Sequence, residues 1–212
     1  INSGWDGRMI QVFGAKNEVV NFNLVLEAAS SNASNVSVSL GELDGPSGTV
    51  LRYQSASGDG LFNWVGREIE LFYVRYLEIK GLSTFCCEKY DERHIPDRLR
   101  RPYDAFGIGS GAWTDRPDHN KHYPDIAVPL ELQSSFNVLA GQNQSVWVDI
   151  YVPTTSPAGL YKGSLLVKEN GTTTKTIPVE LTVRNFSLPE EPTSKTMLFF
   201  GYPYVNDRYF HE

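Results

Sequence analysis

VNFNLVLEA, residues 20–28, alternates without a break: Val20, Phe22, Leu24, Leu26 and Ala28 fall on one side, Asn21, Asn23 and Glu27 on the other. An extended chain sends successive side chains to opposite faces, so a period of two describes a strand with one dry and one wet surface. The period returns in NVSVSL (residues 35–40), with Val36, Val38 and Leu40 inward. It returns again in SVWVDIYV (145–152), with Val146, Val148, Ile150 and Val152 inward, and in TIPVELTV (176–183), with Ile177, Val179, Leu181 and Val183 inward. Pro178 lies on the outward face and has no N–H to donate, which predicts that this last strand runs near a sheet edge. IELFYVRYLEIKG (69–81) carries bulk on both faces, Leu71, Tyr73, Leu77 and Ile79 against Phe72, Val74 and Tyr76, the mark of a strand at a sheet centre or beneath a long loop. Turn signals separate these runs: Asp44-Gly45-Pro46, Ser57-Gly58-Asp59-Gly60, Ala158-Gly159 and Asn170-Gly171. Helical periodicity is nearly absent. The expected fold is all-β, an antiparallel β-sandwich of immunoglobulin/fibronectin-like or jelly-roll-like kind, with one long irregular insertion.

Length and composition set the outer limits. At 212 residues, 41% hydrophobic and 12% aromatic, the chain is globular and its apolar runs are too short to span a bilayer. A net charge of -6 argues against a nucleic-acid partner, which would need a basic face. ERHIPDRLRR (92–101) is locally basic through Arg93, Arg98, Arg100 and Arg101, but acidic neighbours interrupt it and a solvated, ion-paired segment is expected. Cys86 and Cys87 are adjacent, and a bond between sequence neighbours needs a strained ring, so no disulfide framework is expected. Five Asn-X-Ser/Thr sequons, at Asn32, Asn35, Asn143, Asn170 and Asn185, matter only in a eukaryotic secretory pathway and otherwise read as surface turns. The chain opens at Ile1 without a leader, and an exported protein whose signal was removed or lies upstream is the expectation.

Two stretches break the strand rhythm. Residues 82–128 hold Gly107, Gly109 and Gly111 and four prolines with no sustained period. A loop that long inside a compact domain is either functional or packed down by its own aromatics. NFSLPEEPTS (185–194) is a Pro-rich acidic connector after the last clean strand. The domain plan is therefore a β-sandwich over 1–188 with an insertion at about 82–128, a linker at 189–194, and over 195–212 the start of a following domain.

The polar cluster of the insertion is WTDRPDHNKHYPD (113–125). As a metal loop, His119 and His122 with Asp115 or Asp118 offer zinc ligands, and Asp115, Asp118 and Asn120 offer oxygens to calcium (Ca2+); the spacing matches no EF-hand. As a hydrolytic site, Asp115, Asp118 and Asp125 offer paired carboxylates. As an ordered insert, these side chains cap turns while Tyr103, Trp113 and Tyr123 pack on the sheet. The insert reading is preferred; no cofactor and no catalytic residue are assigned. A sugar contact overlaps with it, because Tyr103, Trp113 and Tyr123 beside Asp115, Arg116 and Asn120 combine ring faces with hydrogen-bonding groups.

The second half carries a resemblance. Tyr123-Pro124-Asp125, a strand start at Pro129-Leu130, a turn at residues 140–144, the strand at 146–153, the AGLYKG turn at 158–163 and Leu188-Pro189 together resemble the N-terminal β-sandwich of family 123 glycoside hydrolases and related bacterial proteins. The likeness spans most of residues 17–200 and is strong from about 123 onward. It implies that a TIM barrel follows in the same polypeptide. It also implies that the family's Asp-Glu pair, which works with the substrate's acetamido group, lies on barrel strands beyond residue 212. Within the AGLYKG turn, Gly159 and Gly163 are expected at positive φ, with the Tyr161 ring laid over the sheet and its hydroxyl at the edge. The function expected is a non-catalytic accessory domain supporting a barrel that acts on carbohydrate. The rivals are a free-standing carbohydrate-binding or cell-surface adhesion module and a small hydrolase built on the loop.

Overall fold

The computed structural model describes residues 4–56, 58, 60–78, 122–191, 194, 195 and 197. Ten strands follow one another: β1 (Ile10–Lys16), β2 (Glu18–Ala28), β3 (Ala33–Asp44), β4 (Val50–Arg52), β5 (Ile69–Glu78), β6 (His122–Pro129), β7 (Phe136–Val138), β8 (Gln142–Val152), β9 (Gly159–Glu169) and β10 (Thr172–Ser187). They form two sheets. One runs β1-β10-β9-β3-β4 with β7 also on β3, and the other runs β2-β8-β5-β6. The sandwich expected from the alternation is present.

The inward faces are those the period of two selects. Val146, Val148, Ile150 and Val152 of β8 are each 0% exposed, and Val179 and Leu181 of β10 match them. Leu40 and Leu165 face each other across β3 and β9 in the same core. Removing a side chain of this size from water stabilises the fold by roughly 1.5–3 kcal/mol, so these rows are a main part of what holds the two sheets together. The β9–β10 hairpin turns on Asn170 (φ 50) and Gly171 (φ 79), the left-handed pair that a two-residue turn between twisted strands requires.

Several expectations need correction. The insertion does not reach residue 128, because residues 122–129 form β6, antiparallel to β5 with Val74 opposite Ala127 and Glu78 opposite His122. Every residue of β6 from His122 to Ala127 is exposed, so no burial pattern marked it as a strand; backbone pairing alone does. Pro129 consequently ends a strand instead of starting one. One ladder departs from the antiparallel rule: β1 runs parallel to β10 from Ile10 opposite Val179. β10 is thus one strand in from the edge strand β1, near the sheet edge as Pro178 indicates. Pro178 stands one residue before the first β1 pair, where β10 has no neighbour on that side and a missing N–H costs nothing.

The AGLYKG turn also differs in detail. Gly159 has φ 139, but Gly163 is not among the positive-φ glycines. Gly163 faces a bulge in β3, where pairing jumps from Leu40–Leu165 to Leu43–Gly163, and a Cβ there would stand 2.2 Å from the Glu42 carbonyl oxygen. Tyr161 is fully buried in the core instead of lying over the sheet, and its hydroxyl donates to the Pro157 carbonyl at 2.9 Å. β5 does lie between two neighbours, β8 and β6, and Phe72 and Val74 are buried although they point away from the core.

Candidate functional site

The four-stranded sheet turns a polar and aromatic surface outward. Register sets its rows: Asn23, Trp147 and Phe72 are opposite one another across β2, β8 and β5, and Asn21, Asp149 and Glu70 form the row beside them. The strand period puts Trp147, Asp149 and Tyr151 on this face because Val146, Val148 and Ile150 point the other way. The Tyr76 hydroxyl lies 3.1 Å from both Asn143 Oδ1 and Ser145 Oγ, and Asn23 Nδ2 reaches Ser145 Oγ at 3.4 Å. Trp147 Nε1 donates to Asp149 Oδ1 at 2.7 Å, which orients the half-buried indole. Burial pushes the Asp149 carboxyl above its ordinary range, and the Trp147 bond only partly opposes it. A ring flanked by amides and hydroxyls is chemically suited to stacking on a sugar and bonding its hydroxyls.

At one end of the same sheet an ionic cluster closes the fold. Glu131 accepts from Arg67 Nη1 and from the Tyr53 hydroxyl at 2.7 Å, and Arg67 Nε stands 3.4 Å from Glu70 Oε1. Arg67 and Glu131 are 10% and 12% exposed, so the pair is largely out of water. Burial works against the Glu131 charge, but the bonds from Arg67 and Tyr53 hold its carboxyl below the usual value. Burial and the adjacent carboxylate push the Tyr53 hydroxyl up to about 12. Arg67 also donates to the Gln54 and Trp64 carbonyls, which binds residues 54–67 to the sheet.

The exit of the chain is built around Asn17, the single residue between β1 and β2, at φ 61. Its N–H donates to the Val152 carbonyl at 2.7 Å and its Oδ1 accepts from the Tyr151 hydroxyl at 3.0 Å. Its Nδ2 donates to the Leu188 carbonyl at 3.2 Å, while the Leu188 N–H returns to the Lys16 carbonyl at 2.9 Å. One asparagine thus ties both sheets and the chain leaving β10 together. Between the sheets, on the side where β1 and β2 are the outer strands, runs a groove of about 780 Å3 lined by Trp5, Ile10, Phe22, Leu24, Leu26 and Ile177.

Of the residues singled out from the sequence, Tyr123 and His122 lie on β6, opposite Leu77 and Glu78, with Tyr123 39% exposed. Asp125 lies on the same exposed strand. Tyr103, Trp113, Asp115, Arg116, Asp118, His119 and Asn120 are outside the described residues, as are Cys86, Cys87 and the arginines of 92–101. Among the described residues no three His, Cys, Asp or Glu side chains converge as metal ligands, and no helix is long and apolar enough to cross a membrane. The alternation of residues 145–152 leaves Trp147 on the outward face, but no periodic pattern singles out Asn17, Tyr76 or the Arg67–Glu131 pair. A lone asparagine between two alternating runs was the available signal for the first. The others depend on residues 64 or more positions apart and left none.

These features define the class as a two-layer β-sandwich domain with a polar aromatic outer face. No protein-family model matches the sequence, and comparison with curated proteins gives no significant match. Among solved structures the chain is similar to a family 123 glycoside hydrolase from Clostridium perfringens, studied for hydrolysis of glycolipid glycans, with a TM-score of 0.55 and 17% identity. The match covers 86% of this chain and 24% of that enzyme, so the likeness is one of fold and spans about a quarter of the enzyme's length. A second similar structure, the N-terminal domain of PorA, has a TM-score of 0.30 and 9% identity over 85% of this chain and 90% of that one.

Proposed function

We propose that this chain is the non-catalytic N-terminal accessory domain of a glycoside-hydrolase-like protein, supporting a C-terminal TIM barrel that acts on carbohydrate. The observation that carries the reading is one of proportion: a fold covering 86% of this chain accounts for 24% of a family 123 enzyme, which leaves most of such a protein for a catalytic unit. The clamp at Asn17 supports it, because a domain that hands its chain to another gains from a rigid exit. On this reading residues 189–194 are the linker, 195–212 begin the barrel, and residues 82–121 with Tyr123 contribute to the substrate cleft or the domain contact. The setting is an exported bacterial protein.

The test is the whole polypeptide. About 300 residues with alternating strand and helix patterns are expected after the sandwich, and the whole protein should turn over an aryl glycoside that the sandwich leaves untouched. Turnover of the aryl glycoside by the sandwich on its own, abolished by Asp115→Asn or Asp118→Asn, would overturn the accessory role. The second reading, a carbohydrate-binding or adhesion module, is favoured by the face around Trp147 and Tyr76. Glycan-array binding by the sandwich that disappears in Trp147→Ala would decide for it.

A further inference from the structure

Resting on the accessory-domain reading, we infer that the following domain docks on the outer face of the six-stranded sheet, at the end where β10 stops, through an apolar patch centred on Phe13, Leu160 and Phe186. Register builds the patch. Phe13 of β1 and Leu160 of β9 are both opposite Thr182 of β10, so the three form one row. The row points outward because Leu181 and Val183, on either side of Thr182, are buried in the core. Arg184 stays on that face, its guanidinium carbon 5.3 Å from the centroid of the Phe13 ring. Phe186, within the register shift between Val183 and Ser187, and Leu188, just past the strand, are exposed at the same end. Phe13 is 68% exposed, Phe186 59%, Leu160 40% and Leu188 39%.

Single exposed apolar residues are ordinary, but four large ones at one end of a sandwich are the kind of contiguous surface that marks a contact. What covers the patch follows from where the chain goes. Leu188 is held to Lys16 and Asn17, three and four residues past Phe13, so whatever comes after it starts beside the patch. The six linker residues of 189–194 span at most about 20 Å when extended. A domain on so short a tether starts beside this surface and meets it at higher effective concentration than the far end of β2. There Gly141 is bonded to Ala28, and the exposed Leu139 lies beside it. The arginine on the Phe13 ring shields the patch from water and is free to shift its charge to the partner's surface.

The experiment uses the full-length protein and a Glu-specific endoprotease, with the Glu190–Glu191 bond in the linker as the reporter, since Pro192 blocks cleavage after Glu191. In Phe13→Ser/Phe186→Ser, cleavage at this bond should accelerate about tenfold or more, the scale set by withdrawing buried aromatics from a docked interface. Leu139→Ser, an equally exposed change at the opposite end, should cleave at the wild-type rate. Amide exchange at residues 11–13 and 182–186 should be slower in the intact protein than after linker cleavage. If a folded domain follows the linker yet the double variant cleaves at the wild-type rate and exchange is unchanged, this surface assignment is wrong and the accessory reading stands. If no folded unit follows, the accessory reading fails and the docking surface fails with it.

Discussion

Gly163→Ala separates packing from propensity. Glycine inside a strand ordinarily costs about 0.5–1 kcal/mol relative to alanine, so a reading by propensity alone predicts stabilisation. The geometry predicts the reverse. The new methyl carbon would stand 2.2 Å from the Glu42 carbonyl oxygen and 2.6 Å from Leu43 Cδ2, and the nearer atom is backbone that cannot rotate away. Relief requires β3 and β9 to separate by about 1 Å to restore an ordinary carbon–oxygen distance of about 3.3 Å. Leu43 and Leu165, both 0% exposed, flank the site and would have to move with the strands. Overpacking of a dense interior costs about 1–3 kcal/mol, and a backbone clash belongs at the upper end, so a net loss of about 2 kcal/mol is expected. With an m-value of about 2 kcal/mol per molar in urea, the unfolding midpoint should fall by about 1 M at unchanged m. Gly41→Ala is the matched control: it lies in the same bulge of β3, outside the left-handed region, and its added carbon meets nothing within 4 Å. Its midpoint should hold or rise. A Gly163→Ala midpoint at or above wild type, or an equal fall in Gly41→Ala, would refute the argument that the bulge selects the glycine.

Two further substitutions probe the polar clusters. Glu131→Ala leaves the largely buried Arg67 with Glu70, at 3.4 Å, as its remaining carboxylate, and thermal or urea unfolding should show a loss of roughly 3 kcal/mol at neutral pH. Because the native Glu131 carboxyl lies below its ordinary value of 4.5, the stability it brings is present above that pH and is lost as pH falls through the native value; the gap between variant and wild type should therefore narrow as pH falls below 4.5, and a gap that does not narrow down to the pH at which the wild type itself unfolds would contradict the charge argument. Asp149→Asn should act in the opposite sense. Burial raises the native carboxyl above 3.8, so the ionised form costs stability above the native value and nothing below the unfolded one; the amide, which still accepts from Trp147 Nε1, should raise Tm at pH 7 and lose that advantage in strong acid, whereas a lower Tm at pH 7 would sink the reading.

The alternating rows at 20–28, 35–40, 145–152 and 176–183 determined by themselves that the protein is a β-sandwich, and they named the core side chains that these strands contribute, though not Leu43, Leu51, Tyr161 or Leu165. That was possible because burial on one face of a strand is a local property, written at every second residue. The Asn170-Gly171 turn was legible for the same reason, since its φ values are a demand on two adjacent residues. Only the tertiary structure decided that β1 runs parallel to β10, that β6 exists, and that Gly163 faces a bulge, because each depends on which distant backbone lies alongside. The candidate surfaces belong to this second group. Asn17 meets Tyr151 and Leu188, Tyr76 meets Asn143, and Arg67 meets Glu131 across separations of 64 to 171 residues. Hydrogen bonds and ion pairs between such residues have no period along the chain, so folding alone brings them together.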